Sequence, residues 1–141
     1  MSKSLVLAAF LSIAGLNVLP AFADDEATAC SLATLHGTYG FASSGTDSGV
    51  PYTSAGRESY DGQGNIKYEQ LWNEAGITYA FKGTGTYTMT PDCVATLTYD
   101  NGGKWKAVVA PDGGVFFYND NIGNPIQSSG REERISRALL F

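Results

Sequence analysis

Turn-forming segments recur along the chain at the spacing of an all-β domain and separate stretches rich in Tyr, Thr, Val and Phe. Each segment carries Gly, Asn, Asp or Pro, which supply the positive or preset φ that a tight reversal requires. The segments are TDSGVP at 46–51, DGQGN at 61–65, NEAG at 73–76, TPDC at 90–93, DNGG at 100–103, PDGG at 111–114 and DNIGNP at 120–125. These seven turns predict eight strands, and no helix is required after Gly37.

The links between consecutive strands are short, so neighbouring strands pair antiparallel. A meander of eight strands either leaves two unpaired edges or closes on itself, and closure removes the edges. We therefore predict an all-β, eight-stranded antiparallel up-and-down barrel, a size that side chains fill or that holds one small ligand. The predicted strands cover 37–45, 52–60, 66–73, 77–89, 94–99, 104–110, 115–119 and 126–135.

The first 23 residues have the pattern of a secretory signal peptide. A basic start at Lys3 precedes an apolar run to about Leu19, and Ala21 and Ala23 form an A-x-A cleavage site. The apolar run is too short for a membrane span. We expect cleavage after Ala23, export to the periplasm or the extracellular space, an N-terminal segment at 24–36, a barrel at 37–136 and a tail at 137–141.

The two cysteines, Cys30 and Cys93, are expected to form a disulfide, because an exported chain meets an oxidising compartment. A reactive thiol or a metal ligand is the alternative. His36 is the single histidine and the chain has no Cys/His cluster, so we predict no metal site. No cofactor motif is present either.

The charge of the chain limits its partners. Removal of the segment with Lys3 changes the net charge from −5 to about −6, which does not favour nucleic acid or anionic lipid. About 118 residues remain, enough for one domain with a modest core or one small pocket. The outward positions of the predicted strands carry Thr, Lys and Ser, so we expect a soluble barrel with no membrane span. The oligomeric state is left open.

Alternation along the strands assigns the residues that face the lumen. In the fourth strand, one side carries aromatic residues and the other carries threonines and Lys82. We expect Gly83 and Gly85 on the aromatic side to mark a bend or to leave space for rings. The predicted lumen-facing ligand contacts are Tyr39, Phe41, Tyr60, Tyr68, Trp72, Tyr79, Phe81, Tyr87, Trp105 and Arg134.

Gly-Arg-Glu occurs twice, at 56–58 and at 130–132. Glu58 shares its direction with Tyr60, so it is expected to face the lumen. The phase of the last strand is ambiguous, but if Gly130 matches Gly56, then Glu132 faces inward together with Arg134. Burial would raise the pKa of both carboxyl groups towards the range of a general acid or base. In the alternative, the two glutamates lie solvated near a barrel mouth or pair with Arg134 as a structural plug.

Three segments carry a resemblance to known proteins: CSLATLHGTYGF, AGRESYDGQGN and GTGTYTMTPDC. They resemble a group of small exported bacterial proteins that are similar in outline to calycin-like barrels, in particular the allene oxide cyclase-like barrel. Such cyclases use no cofactor, and an apolar lumen folds a flexible substrate. No functional residue of a cyclase is carried over by this resemblance, so Glu58 is a candidate because of its predicted lumen position alone.

Three functions remain open at this point. The first is an exported barrel that binds a small hydrophobic or aromatic molecule in its lumen. The second is a cofactor-free isomerase or cyclase in which Glu58 or Glu132 moves a proton or stabilises charge. The third is a ligand-free barrel that acts through its loops.

Overall fold

A computed structural model describes residues 29–121 and 125–139, and it is a closed barrel in which each strand pairs antiparallel with the next and β1 pairs with β8. The predicted fold class is therefore confirmed. The signal peptide predicted at 1–23 lies outside the described residues. The strands are His36–Asp47 (β1), Val50–Asp61 (β2), Asn65–Glu74 (β3), Ile77–Met89 (β4), Val94–Tyr99 (β5), Lys104–Val109 (β6), Val115–Asn121 (β7) and Ile126–Ser136 (β8).

Strands β1 and β2 are longer than predicted because the turn that joins them has only two residues. Asp47 pairs with Val50, and Ser48 and Gly49 between them have φ of 49° and 86°. Ala75 and Gly76 repeat this geometry between β3 and β4, with φ of 50° and 80°. Positive φ at both central residues is the tight hairpin turn that matches the twist of the flanking strands.

The barrel wall is uneven because its strands differ in length. β4 has 13 residues, whereas β5 has 6. β5 pairs only with Gly85–Met89 of β4, so the first half of β4 extends beyond the closed ring. At this end of the barrel β5 is too short to cover the first half of β4, and the lumen opens there.

The other end of the barrel is closed by the N-terminal segment, which forms a 3₁₀ turn at Leu32–Thr34. The Cys30–Cys93 disulfide ties this segment to the turn between β4 and β5, which confirms the predicted bridge. The Tyr87 hydroxyl reaches the carbonyl oxygens of Leu32 and Leu35 at 2.8 and 2.9 Å. We call this closed end the plug.

The core lies between the plug and the middle of the barrel. Three of its aromatic rings, Tyr39, Tyr60 and Phe116, meet at centroid distances of 5.2 to 5.8 Å. Burial of this apolar surface is the main contribution to stability. The buried core residues are Leu35, Tyr39, Tyr60, Ile66, Tyr87, Ala95, Leu97, Ala107, Val109 and Phe116.

Within the described part of the chain, none of the helices has the length and apolar character of a membrane span.

Candidate functional site

A cavity occupies the lumen between the core and the open end. Its volume is about 50 Å³. We call it the inner chamber. Its walls combine aromatic rings with short polar side chains, and its lining comprises Phe41, Ser43, Tyr52, Ser54, Glu58, Tyr68, Gln70, Trp72, Leu97, Tyr99, Asn101, Trp105, Tyr118, Ile126, Ser128 and Glu132.

Glu58 lies at the base of the inner chamber, where only 4% of the residue is exposed. One carboxylate oxygen, Oε2, accepts hydrogen bonds from the hydroxyls of Tyr60 and Tyr99, each at 2.7 Å. Burial raises the pKa of Glu58 to about 7, although the two tyrosine hydrogen bonds act in the opposite direction. Glu58 therefore changes charge near neutral pH.

Glu132 reaches the same point from β8 and is 1% exposed. Its Oε2 lies 3.4 Å from the Tyr60 hydroxyl, which thus stands between the two carboxyl groups. Burial raises the pKa of Glu132 well above its usual range, and the neighbouring Glu58 raises it further. The two glutamates form a buried acid pair in which both carboxyl groups have raised pKa values.

The two Gly-Arg-Glu segments have one structural explanation. A Cβ at Gly56 would collide first with the backbone carbonyl oxygen of Glu69 and would also lie 2.9 Å from the Phe41 ring, and a Cβ at Gly130 would collide with the Tyr118 ring, so neither position has room for a side chain. Each arginine points outward to a surface carboxylate: Arg57 contacts Glu69, and Arg131 lies 3.0 Å from Glu133. Each glutamate then points inward. In β8, Glu132 therefore faces the lumen, and Arg131 and Glu133 face outward.

Above the inner chamber, a wider space opens to solvent on the concave side of β4. It measures about 510 Å³, and we call it the outer cleft. Tyr79 and Phe81 stand on its wall with nearly parallel rings, 6.2 Å apart and inclined by 25°. Its lining comprises Asp47, Tyr68, Gln70, Trp72, Glu74, Tyr79, Phe81, Lys82, Asp100, Asn101 and Ile126.

Tyr68 lies at the boundary between the inner chamber and the outer cleft and lines both. Its hydroxyl donates to Asp100 at 3.2 Å, and Asp100 also accepts a hydrogen bond of 2.7 Å from the Thr84 backbone N–H. Burial, with Asp100 adding to it, raises the pKa of Tyr68 to about 12. A Cβ at Gly83 would lie 2.6 Å from the Tyr68 hydroxyl oxygen, so this glycine leaves the space that was expected for it.

The predicted contact residues fall into three groups. Four of them, Phe41, Tyr68, Trp72 and Trp105, line the inner chamber, together with the candidate catalytic residues Glu58 and Glu132. Tyr79 and Phe81 occupy the concave face as predicted but line the outer cleft, where they remain 45% and 44% exposed because β5 is too short to cover them. Tyr39, Tyr60, Tyr87 and Arg134 lie below the chamber, in the core or the plug.

Arg134 does not occupy the position predicted for it. Its guanidinium donates to the Tyr39 hydroxyl at 3.0 Å and to the carbonyl oxygens of Thr34 and Asp112 at 3.1 and 3.3 Å. Among the described residues it forms no ion pair with a carboxylate, so the alternative of an Arg134–Glu132 plug is wrong. Arg134 joins the N-terminal segment to the barrel.

Three tyrosines of the inner chamber were missed by the sequence prediction: Tyr52, Tyr99 and Tyr118. Tyr52 stacks on Trp72 with centroids 3.5 Å apart. Burial raises the pKa of Tyr118 and, together with Glu58, that of Tyr99. Strand alternation was a sufficient signal for all three, since Tyr52 shares its side with Glu58, Tyr99 with Leu97, and Tyr118 with Phe116.

The chemistry that this arrangement offers is that of carboxyl and phenol groups. Within residues 29–121 and 125–139, no group of three or more His, Cys, Asp or Glu side chains is placed to hold a metal ion. The acid pair can donate or accept a proton near neutral pH, and the surrounding rings can stack on an aromatic ligand.

Comparisons with known proteins give no family for this chain. No protein family model and no curated protein matches it. Among solved structures it is similar to a de novo designed fluorescence-activating β-barrel, with 15% identity, a TM-score of 0.49 and coverage of 74% of this chain and 98% of that one. It is also similar to a redesigned barrel, mFAP1, bound to DFHBI, with 18% identity, a TM-score of 0.49 and the same coverage. These low scores reflect general barrel similarity only.

Proposed function

We propose that this protein is an exported barrel that binds a small hydrophobic or aromatic molecule through the open end of its lumen. The observation that carries the proposal is the pair of buried carboxyl groups at the base of an aromatic-lined cavity that opens at one end. A binding site commonly combines apolar walls with a few convergent polar groups that fix the orientation of the ligand. The predicted signal peptide and the Cys30–Cys93 disulfide support export.

The inner chamber and the outer cleft differ in size, so they bind different parts of the ligand. The inner chamber admits only a small group, whereas the outer cleft has about ten times its volume and two exposed rings. A flat ligand therefore places its ring against Tyr79 and Phe81 and directs one polar substituent towards Glu58. Stacking on these rings contributes about 0.5–1.5 kcal/mol beyond the burial of area.

A blocked lumen tests the proposal. Ser54 lines the inner chamber, and the neighbouring Thr53 on the same strand points outward. We expect small aromatic compounds to change the fluorescence of Trp72 and Trp105 in the native protein and in Thr53→Phe, and to leave Ser54→Phe unaffected. Binding that survives in a folded Ser54→Phe protein would place the ligand elsewhere. Absence of binding in the native protein would favour the ligand-free barrel.

A second function, a cofactor-free isomerase or cyclase, is favoured by one observation: the Tyr60 hydroxyl lies between two buried carboxyl groups whose pKa values are both raised. Two carboxyl groups at one site can act as a base and an acid together. Glu58 would remove a proton from one carbon of the ligand, Glu132 would give a proton to another, and Tyr60 would return the proton between them. The double bond moves, and no oxidant or reductant is consumed.

The test of this second function is turnover of a polyene or an epoxide. We expect Glu58→Gln to abolish it and Glu133→Gln, which changes an exposed glutamate, to leave it intact. Equal turnover in Glu58→Gln and native protein would remove this carboxyl group from the mechanism. The similarity to allene oxide cyclase-like barrels stays a prediction.

A further inference from the structure

The acid pair at the base of the inner chamber has no positive charge beside it. In the part of the chain that the structure describes, no lysine or arginine lines this chamber. The inward-facing Arg134 is occupied at the plug, on the other side of the core. A buried carboxylate without a cation is costly, and a ligand that supplied one would remove that cost.

The hydrogen bonds around the pair show where the charge lies. Tyr60 has one hydroxyl proton and uses it in the short bond to Glu58 at 2.7 Å. The 3.4 Å contact from Tyr60 to Glu132 becomes a second hydrogen bond when Glu132 itself carries a proton. In this state Glu132 is neutral and Glu58 is ionised.

The ionised Glu58 also has an oxygen available for a ligand. Tyr60 and Tyr99 both donate to Oε2, and Oε1 has no hydrogen-bond partner among the described residues. A carboxylate accepts several hydrogen bonds, so Oε1 can accept one from a group inside the chamber. A charged donor forms a stronger bond there than a neutral one.

The walls of the chamber favour a cation as well. Aromatic rings attract positive charge over their faces, most strongly where water is excluded. The rings that line the chamber are those of Phe41, Tyr52, Tyr68, Trp72, Tyr99, Trp105 and Tyr118.

The outer cleft has the same electrostatic preference. Asp47, Glu74 and Asp100 lie on its lining, and its one lysine, Lys82, is 3.2 Å from the carboxylate of Glu69. An anionic ligand meets three carboxylates on entry, whereas a cationic ligand is attracted by them.

Strand pairing relates the inner chamber to the outer cleft. Glu58 pairs with Tyr68, and Tyr68 pairs with Gly83, so these three residues form one row across β2, β3 and β4. Phe81 is the next inward position of β4, about 7 Å further along the strand, and β4 lies two strand spacings, about 10 Å, from β2. A ligand that reaches both residues therefore carries its cation and its ring at opposite ends.

We infer that the ligand of this barrel is a protonated arylalkylamine, whose ammonium group enters the inner chamber beside Glu58 while its ring lies in the outer cleft against Phe81 and Tyr79. The inference rests on the proposed binding function and names the class of molecule that is bound. The ammonium donates to Oε1 of Glu58 and faces the tyrosine rings. An uncharged analogue of the same shape lacks the ionic contact, and an anionic analogue is repelled.

The probes are 2-phenylethylamine, 2-phenylethanol and phenylacetate, which carry a cationic, a neutral and an anionic group beside the same ring. Binding is measured by calorimetry at pH 7.5 to native protein, Glu58→Gln, and the exposed control Glu133→Gln. We expect the amine to bind native protein and the control about tenfold more tightly than the alcohol. The Glu58→Gln protein is expected to lose this preference, and phenylacetate to bind most weakly.

Proton release on binding tests the same contact with native protein alone. An ammonium group beside Glu58 favours its ionised form, so amine binding releases part of a proton at neutral pH. Calorimetry of the native protein in two buffers of different ionisation enthalpy measures that proton, and the alcohol should release none.

The outcomes separate the inference from the proposed function. Alcohol binding as tight as amine binding, or an amine preference that survives in Glu58→Gln, would overturn the amine inference while lumen binding stands. The absence of proton release with the amine would overturn it too, even if Glu58→Gln failed to fold. Failure of all three probes to bind native protein would overturn the inference, and the Ser54→Phe experiment with other aromatic compounds then decides the proposed function separately.

Discussion

The Tyr60 hydroxyl donates a hydrogen bond of 2.7 Å to the carboxylate of Glu58, two residues earlier on the same strand. Residues two apart in a strand share a face, so this bond lies inside the lumen. The same hydroxyl is 3.4 Å from Glu132 on β8, a strand that does not pair with β2. The three side chains are thus expected to titrate as one unit.

The first prediction concerns stability against pH. Both carboxyl groups have raised pKa values in the folded state, about 7 for Glu58, so above pH 4.5 the native state holds more protons than the unfolded state. The unfolding free energy should therefore fall as the pH rises from about 5 to 8, by about 2 kcal/mol or more from Glu58, with Glu132 adding to it. Urea unfolding at several pH values measures this slope.

Glutamine variants identify the groups responsible for the slope. Glu132→Gln removes one titrating group and should flatten the dependence on pH, whereas Glu133→Gln, which changes an exposed side chain, should retain the native slope. Equal slopes in the two variants would mean that Glu132 is not the buried acid described here.

The second prediction concerns the plug. The Cys30–Cys93 disulfide closes a loop of 63 residues and holds the N-terminal segment against the barrel. Its removal by a double Cys→Ser substitution should lower the unfolding free energy by about 2–5 kcal/mol. Thermal unfolding by circular dichroism gives the result. An unchanged Tm would show that the plug is held without the bridge.

The third prediction separates the two arginines of the last strand. Arg134 makes part-buried hydrogen bonds at the plug, so Arg134→Met should destabilise the protein by about 1–3 kcal/mol. Arg131 makes an exposed ion pair with Glu133 and lies 5.9 Å from the centre of the exposed Phe117 ring, so Arg131→Met should change stability by less than about 1 kcal/mol. Chemical unfolding measures the stability of both variants. A lower stability of Arg131→Met than of Arg134→Met would contradict this assignment.

The fourth prediction concerns the glycine of the second Gly-Arg-Glu segment. A Cβ at Gly130 would meet the Tyr118 ring and, at 2.8 Å, the carbonyl oxygen of Ala42. Gly130→Ala should therefore cost about 1–3 kcal/mol of unfolding free energy. Gly40 is the matched control, because a Cβ there would only touch Ile135 at 3.4 Å. Equal stability of Gly130→Ala and Gly40→Ala would show that Tyr118 does not depend on this space.

Local sequence patterns were sufficient for the parts of the site that depend on strand alternation. Glu58 was assigned to the lumen because it shares a side with Tyr60, and Tyr52 follows by the same rule although it was missed. Alternation predicts which side of the sheet a residue faces, but not its position along the barrel axis. Tyr39 belongs to the core and not to the cavity, because its hydroxyl group is hydrogen-bonded to Gly113 and Arg134 at the closed end, 74 and 95 residues away in the chain.

The positions of Arg134, Tyr79 and Phe81 have such non-local causes. Arg134 was assigned to the ligand site because it faces inward, but its acceptors include Thr34, 100 residues away in the chain. Tyr79 and Phe81 were expected within the barrel, but the short β5 leaves them in the outer cleft. Strand length and pairing partners decide both positions, and neither is visible in the sequence of β4 or β8 alone.

Carboxyl carbon NMR of native protein, with Glu58→Gln and Glu132→Gln used for assignment, tests the acid pair most directly. We expect the Glu58 signal to titrate with a pKa of about 7, and the Glu132 signal to titrate well above the usual range of a glutamate. Titration of both groups near 4.5, as in an exposed glutamate, would contradict a buried acid pair at the base of the lumen.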